Sequence, residues 1–341
     1  MKVGIVTFHA ARNYGAVLQC RCLKEVLSSL GHEVHVVDYR PRYLTEPYRI
    51  LKPYYLKRPS ILFRLPVRYW GARRRDCSFS RFQQDLSPVP AGTSFDAVFF
   101  GSDQIWNPKI CKGLDPFFFA ADPSFANTRN IAYAASDGSA PLDDSQSALY
   151  RRYMQHFHRI GVREASLQER LSSWGIPSSV TLDPVLLAGR EVVARLASGI
   201  KVSRQAYVLT YEAVDHPRVK ELAAGMGQRV ISIAREPYSA GRNCYGPQEF
   251  VALFRDAARV VTTSFHGVAL SVLFHKDFLY VETGTRADDR IRNLLTAIGL
   301  ENRMVAPGKD PINGQPGYSE ADVALEGLRN SSLDFIKEAL L

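Results

Sequence analysis

Five cysteines in 341 residues are few and odd in number, and no two of them form a CxxC pair. Neither a zinc ribbon, a thiol redox motif nor a disulfide framework is expected. Cys20 and Cys22 fall in a helical pattern, where residues two apart point to different faces, and they read with Cys77, Cys111 and Cys244 as free thiols of a reducing compartment. No window approaches the roughly 18 apolar residues of a membrane-spanning helix. Met1 to Phe8 lacks the long apolar run and small-residue cleavage site of a secretory signal. The expectation is a soluble, cytoplasmic protein. GxGxxG is missing, as is any cluster of His, Cys and Asp at ligand spacing, so no dinucleotide cofactor and no metal are expected. A composition 46% hydrophobic and 23% charged excludes a disordered or collagen-like chain. At roughly 100–200 residues per domain, the length fits about two domains.

Charge of one sign is scarce except in one place. Residues 40–75 hold eleven Lys/Arg and one acid, Glu46, which leaves 43 − 11 = 32 basic against 34 − 1 = 33 acidic residues elsewhere. The net charge of +9 therefore lives in this segment. Tyr43, Tyr48, Tyr54, Tyr55, Phe63, Tyr69 and Trp70 interleave with the basic residues, and prolines interrupt long helices. Such a mix suits an anionic membrane surface, at roughly 1 kcal/mol per Lys or Arg near the headgroups. It suits equally an insertion whose aromatics pack on the domain. No recognition motif accompanies the charge, so nucleic acid is not an expected partner.

Elsewhere short β-branched or aromatic runs alternate with amphipathic helical patterns, the mark of parallel α/β architecture. Strands are expected at 2–8, 33–38, 95–100, 130–135, 160–163 and 180–182, with helices at 16–30 and 166–174. After a break near 184–204 the pattern restarts, with strands at 206–211, 229–234, 260–263, 278–282 and 303–305. Helices alternate with them at 217–226, 247–257, 267–274 and 288–298. An amphipathic tail, 319–341, reads as helix in two pieces. Two Rossmann-like, doubly wound domains, 1–184 and 185–318, followed by a helical tail, resemble the GT-B arrangement of many transferases. In such sheets ligands bind beyond the carboxyl ends of the strands, so the loops there carry the chemistry.

Four loops stand out. Asn13, Tyr14 and Gly15 open the first helix, where free N–H groups suit an anion or a sugar hydroxyl. In GSDQIWNP, Gly101 to Pro108, the polar Ser102, Asp103, Gln104 and Asn107 surround Trp106. That pattern matches sugar recognition, with carboxylate and amides on hydroxyls and an indole over the apolar sugar face; Asp103 is also a candidate base. Arg163, at the end of a strand and followed by Glu164, can clamp a carboxylate or phosphate in bidentate fashion. Ser264, His266 and Gly267 sit where a buried strand meets a helix N-terminus, a ready anion site. An anion there would stabilise the protonated form of His266 and make it an acid. Arg286, Arg290 and Arg292 add positive charge beside that loop.

NYGAVLQ at 13–19, GSDQIWNP at 101–108, VRE at 162–164, LDPVLL at 182–187, TTSFHG at 262–267 and RIRNLLTAIGL at 290–300 occur in the order seen in the polysaccharide pyruvyl transferase family, which the chain resembles over nearly its whole length. The resemblance implies a GT-B-like fold and transfer of a pyruvyl group from phosphoenolpyruvate to a sugar, usually as a cyclic ketal on two hydroxyls. It places the essential histidine on His266 and a donor-binding arginine on Arg163. Some relatives carry Arg or Lys and then Leu before that histidine; this chain has Ser264 and Phe265 there, so Arg290 or Arg286 is the expected substitute cation. His266 is then the expected acid and Asp103 or Glu164 the base, with phosphoenolpyruvate as donor substrate and no other cofactor. The implied acceptor is an undecaprenyl-linked oligosaccharide, taken by 1–184 while 185–318 takes the donor. A membrane role for 40–75 at the inner face would follow. A nucleotide-sugar glycosyltransferase and a non-catalytic glycan-binding protein are the alternatives.

Overall fold

The computed structural model describes residues 1–48, 65–212, 216–233, 244–311 and 314–341. The first sheet contains β1 (Lys2–Val6), β2 (Glu33–Asp38), β3 (Pro88–Pro90), β4 (Ala97–Asp103), β5 (Arg129–Ala135), β6 (Arg159–Val162) and β7 (Ser179–Val180). Its order is β3-β2-β1-β4-β5-β6-β7, and all pairs are parallel. The second contains β8 (Tyr207–Tyr211), β9 (Arg229–Ile233), β10 (Arg259–Thr262), β11 (Asp277–Val281) and β12 (Met304–Val305) in the order β12-β11-β10-β8-β9, again parallel. Two such sheets with a helix returning to the first give the expected GT-B-like architecture.

The longer helices are α1 (Tyr14–Ser29), α2 (Leu65–Gln84), α3 (Asp144–Met154), α4 (Ala165–Ser173), α5 (Pro184–Leu196), α6 (Pro217–Gly225), α7 (Pro247–Asp256), α8 (Phe265–Leu273), α9 (Ala287–Ala297) and α10 (Tyr318–Leu340). α3 lies where no element was expected, and three others differ from expectation as well. A break was expected at 184–204, yet α5 fills most of it: Asp183 caps its N-terminus by accepting from the Val185 N–H at 2.9 Å, with Pro184 in the first turn. Val185, Leu186 and Val193 then join the core of the second domain. The tail is one helix of 23 residues, not two pieces. Ala321 and Leu325 bury in the second domain while Phe335, Ile336 and Ala339 bury against β1 and β5 of the first. Because the apolar stripe is used by both domains, no solvated break separates its halves.

The third difference lies in the basic segment. Residues 49–64 of it are outside the described residues, but its end forms α2, a helix of 20 residues despite the prolines. Pro66 falls in the first turn, where its missing N–H costs nothing. Arg75 of α2 is buried against the rings of Tyr14 and Phe79, its Cζ 5.0 Å from each centroid, and donates from Nη2 to the Arg12 carbonyl. Trp70, by contrast, is 69% exposed, beside exposed Arg73 and Arg74. Among the described residues no helix is long and apolar enough to cross a membrane.

Candidate active site

The strand ends after β4, β6, β7 and β10 and the starts of α1 and α9 converge between the domains. Arg163, directly after β6, is held by its backbone N–H donating to the Ala135 carbonyl at 3.0 Å. Its guanidinium, 3% exposed, has three carboxylates around it: Asp183 at 3.2 Å, and Asp103 and Glu164 each at 3.9 Å. Burial alone would lower its proton affinity, but Glu164, Asp183 and Asp103 outweigh that and raise it. Arg163 is thus a fixed cation. Its Nε–H nevertheless has no hydrogen-bond partner among the described residues.

Asp103 reaches this cluster from a strained backbone, with φ at +77°, a conformation that a non-glycine residue keeps only when its surroundings impose it. Its Oδ1 accepts from the Gln104 N–H at 2.8 Å. Glu164 is buried, with one oxygen accepting from the Ser136 hydroxyl and Oε2 left without a partner among the described residues. Asp183 was not among the expected site residues, although it stands in LDPVLL; the signal was the Asp-Pro pair at a helix start on the cleft side of a strand. It is fully buried, and its Oδ2 lies 3.2 Å from Arg163 Nη1 and 3.7 Å from His266 Nε2.

His266 sits in the first turn of α8, its side chain 12% exposed. Burial holds its pKa below the ordinary histidine value; Asp183 and Asp103 pull upward, while Arg163 and Arg290 push downward again. The imidazole is therefore neutral at pH 7, and Nε2 has no hydrogen-bond partner among the described residues. An acid role requires an anion that offsets the two arginines. Arg290, on α9, is a second cation whose buried Nε has no partner among the described residues; burial and then the repulsion of Arg163 lower its proton affinity. The loop before it is tied by Asp288, which accepts from the N–H groups of Thr283 and Thr285 and from the Tyr280 hydroxyl. Phe265 packs on both guanidiniums, its centroid 5.0 Å from Arg163 Cζ and 5.6 Å from Arg290 Cζ.

The structure corrects several expected ligands. Trp106 is completely buried, stacked on Phe119 at 5.5 Å with Nε1 donating to the Phe118 carbonyl at 2.9 Å, so its indole covers no sugar. Tyr14 is a pin between the domains: it stacks on Phe250 at 4.2 Å and donates to the Tyr245 carbonyl at 2.7 Å. Asn13 and Asn107 are helix N-caps, Asn13 of α1 and Asn107 of the one-turn helix Pro108–Cys111; the Asn107 amide also donates to Gln104 Oε1 at 2.7 Å. Ser102 is buried, its hydroxyl donating to the Ala134 carbonyl at 2.9 Å. Arg286 is exposed and donates to the Ser139 carbonyl at 3.3 Å. Ser264 occupies the N-cap position of α8, and Gly267 is required by packing, since a Cβ there would overlap the Thr262 hydroxyl. Asp103, Arg163, Glu164, His266 and Arg290 are brought together, joined by Asp183. Among the described residues no group of three or more His, Cys, Asp or Glu could hold a metal ion.

The family model for polysaccharide pyruvyl transferases matches residues 13–285, a span that includes every one of these six except Arg290. No curated protein matches significantly. Among solved structures, similarity extends to E. coli heptosyltransferase WaaC with ADP-2-deoxy-2-fluoro heptose (13% identity, 99% of each chain, TM-score 0.38). A UGT transferase from Siraitia grosvenorii in complex with UDP also matches (9% identity, 99% of this chain and 94% of that one, TM-score 0.41).

Proposed function

Because the chain belongs to the polysaccharide pyruvyl transferase family, we propose that it moves the pyruvyl group of phosphoenolpyruvate onto a sugar of a lipid-linked surface-polysaccharide intermediate, forming a pyruvate ketal and releasing phosphate. One observation carries the reading: buried Arg163 and partly buried Arg290 each keep an Nε–H without a hydrogen-bond partner among the described residues, beside a neutral histidine. Buried cations with unused donors are costly unless an anion completes them. Phosphoenolpyruvate brings a carboxylate and a phosphate, the groups that an arginine fork and the N-terminus of α8 receive.

Bound there, the donor's negative charge offsets Arg163 and Arg290 and raises the proton affinity of His266. His266 then protonates the methylene carbon, C2 becomes electrophilic, and a sugar hydroxyl adds while Asp103 or Glu164 takes its proton. Departure of phosphate lets a second hydroxyl close the ketal. The two hydroxyl protons end on the new methyl group and on phosphate, so the step balances. Proton transfer of this kind is worth about 10²–10⁴-fold in rate. Exposed Trp70, Arg73 and Arg74 support an approach to anionic headgroups where an undecaprenyl-linked acceptor resides.

The test is phosphate release from phosphoenolpyruvate with a panel of galactosyl, glucosyl and mannosyl lipid-like acceptors, followed by mass spectrometry. Release coupled to the mass gain of a pyruvyl ketal is the expected result. Absence of release with every acceptor, together with turnover of a nucleotide sugar, would overturn the reading.

A further inference from the structure

Gln104 follows Asp103 at the end of β4, and its neighbours fix which way its amide faces. Asn107 spends Oδ1 on capping the short helix Pro108–Cys111, where it accepts from the Lys109 N–H at 3.0 Å. The atom it turns to Gln104 is therefore Nδ2, which donates to Gln104 Oε1 at 2.7 Å and leaves Nε2 as the free end. Gly138, at φ +62°, packs on the same oxygen, since a Cβ there would overlap Oε1. The Gly138 N–H donates at 3.0 Å to the Ser136 hydroxyl that holds Glu164, and the Ser139 carbonyl accepts from Arg286 of the second domain. Gln104 thus stands at the domain seam, packed on the loop that carries Glu164's partner. Neither Gln104 Nε2 nor Asp103 Oδ2 has a hydrogen-bond partner among the described residues. Unlike the unpartnered atoms of Arg163, Glu164 and His266, these two are not sealed in: the Asp103 side chain is 15% exposed and Gln104 is half-buried.

We propose that Asp103 and Gln104 are the seat of a sugar diol, with Asp103 Oδ2 accepting from one hydroxyl while Gln104 Nε2 donates to the oxygen of the other. The inference deepens the pyruvyl-transfer reading and rests on it for the ligand being a sugar. The pair itself selects a neutral group. Phosphate or a carboxylate would meet the charge of Asp103, and an ammonium would meet Arg163, whose Nη2 lies 3.9 Å from the other Asp103 oxygen. Hydroxyls donate and accept at once, so two of them satisfy both atoms. A ketal needs two hydroxyls of one sugar, and two contacts hold both in place where one would leave the second free to turn away. The contacts are unequal in chemistry. Only Asp103 can take a proton, so the hydroxyl on it adds first, its proton passing to Oδ2 as its oxygen bonds to C2. Gln104, held by Asn107 and Gly138, fixes which hydroxyl follows and hence which pair is bridged.

NMR titration with methyl galactoside, methyl glucoside and methyl mannoside, without phosphoenolpyruvate, tests this on the wild type, Gln104→Glu and Gln104→Met. Gln104→Glu keeps the oxygen that Asn107 binds and turns the donor into an acceptor; Gln104→Met removes both. At least one glycoside should bind the wild type and lose at least about fivefold in both variants, the worth of one neutral hydrogen bond. Among monodeoxy analogues of that glycoside, the one lacking the hydroxyl on Gln104 should bind the wild type about fivefold more weakly than its parent, yet bind each variant as well as the parent does. A merely structural role for Gln104 would not erase the penalty for one hydroxyl. In turnover assays the acceptor KM should rise in both variants while the phosphoenolpyruvate KM holds. Binding of none of the three glycosides, or equal binding by the wild type and both variants, overturns the proposal. So does uridine bound by the wild type and lost by the variants, which would make the pair a reader of a nucleobase edge. The titration needs no turnover, so a wild type that binds the glycoside through Gln104 but releases no phosphate would sink the pyruvyl-transfer reading alone. Phosphate release with an acceptor KM unchanged in both variants would sink the diol seat alone.

Discussion

Gly15, in the first turn of α1, and His266, in the first turn of α8, touch across the two domains so closely that a Cβ on Gly15 would overlap the imidazole Nδ1. The contact fixes one edge of the ring, while Asp183, 3.7 Å from Nε2, lies at the other. The histidine's placement is thus a property of the closed interface, since both neighbours belong to the first domain and His266 to the second.

Gly15→Ala should therefore lower kcat about 10²-fold, the usual effect of moving a reacting group by around 1 Å, with a much smaller change in melting temperature. Position 15 is helical, where alanine is the better former. Phosphate release measured beside a thermal melt checks this; wild-type kcat in the alanine variant would refute the positioning argument.

Arg163 and Arg290 should respond oppositely to the same substitution. Arg163→Met strands Asp183, Glu164 and Asp103 around an apolar side chain, and loss of one partner of a buried ionic cluster costs about 3–5 kcal/mol. Arg290→Met removes a cation that already repels its neighbour, so stability should hold or improve. Both variants should lose affinity for phosphoenolpyruvate. Denaturant midpoints and KM together decide, and equal destabilisation by the two would contradict the assignment.

The lowered pKa of His266 makes a stability prediction with a definite sign. Between its folded value and the ordinary 6.5, the unfolded chain binds a proton that the folded chain refuses. Stability should accordingly fall as pH drops from about 6.5 through the folded pKa. Compared at pH 7 and pH 5 by urea unfolding, the wild type should lose more than His266→Gln, which cannot titrate there. Saturating phosphate should shrink the difference by raising the histidine's proton affinity; parallel losses in both proteins would rule the effect out.

Much of this fold is legible in the sequence because hydrophobic periodicity marks buried strands directly. All five strands of the second domain lie within one residue of their expected bounds. β3 escapes notice because three residues with two prolines carry no periodicity. The break expected at 184–204 follows Asp183-Pro184, punctuation that also starts a helix; Gly189, at φ +82°, kinks α5 without ending it. The tail, expected in two pieces, runs unbroken through Ser332, whose hydroxyl accepts from the Leu182 N–H at 2.9 Å and ties α10 to the first domain. Among site residues, charges at strand ends were readable because connectivity alone sends them to the cleft. Trp106 and Tyr14 were not, since an aromatic among polar neighbours has the same sequence signature whether it faces a sugar or a core.

Asp183 is the residue that the sequence reading overlooked, and Asp183→Asn isolates its charge. Asparagine caps a helix about as well as aspartate, so the bond from the Val185 N–H and the start of α5 should survive. Arg163 would lose its nearest carboxylate and His266 the strongest influence raising its pKa. Two consequences separate this from a structural role. The freed Arg163 should bind phosphoenolpyruvate as well or better, so KM holds or falls while kcat drops about 10²-fold, within the usual range for lost acid–base assistance. The pH at which kcat/KM begins to decline should also move lower, because the active form of His266 is the protonated one and its proton is now held less tightly. Asp183→Ala, which removes the cap as well, should show the same kinetics with about 1 kcal/mol less stability. An Asp183→Asn enzyme with wild-type kcat and an unshifted pH profile would leave the carboxylate as a helix cap and nothing more.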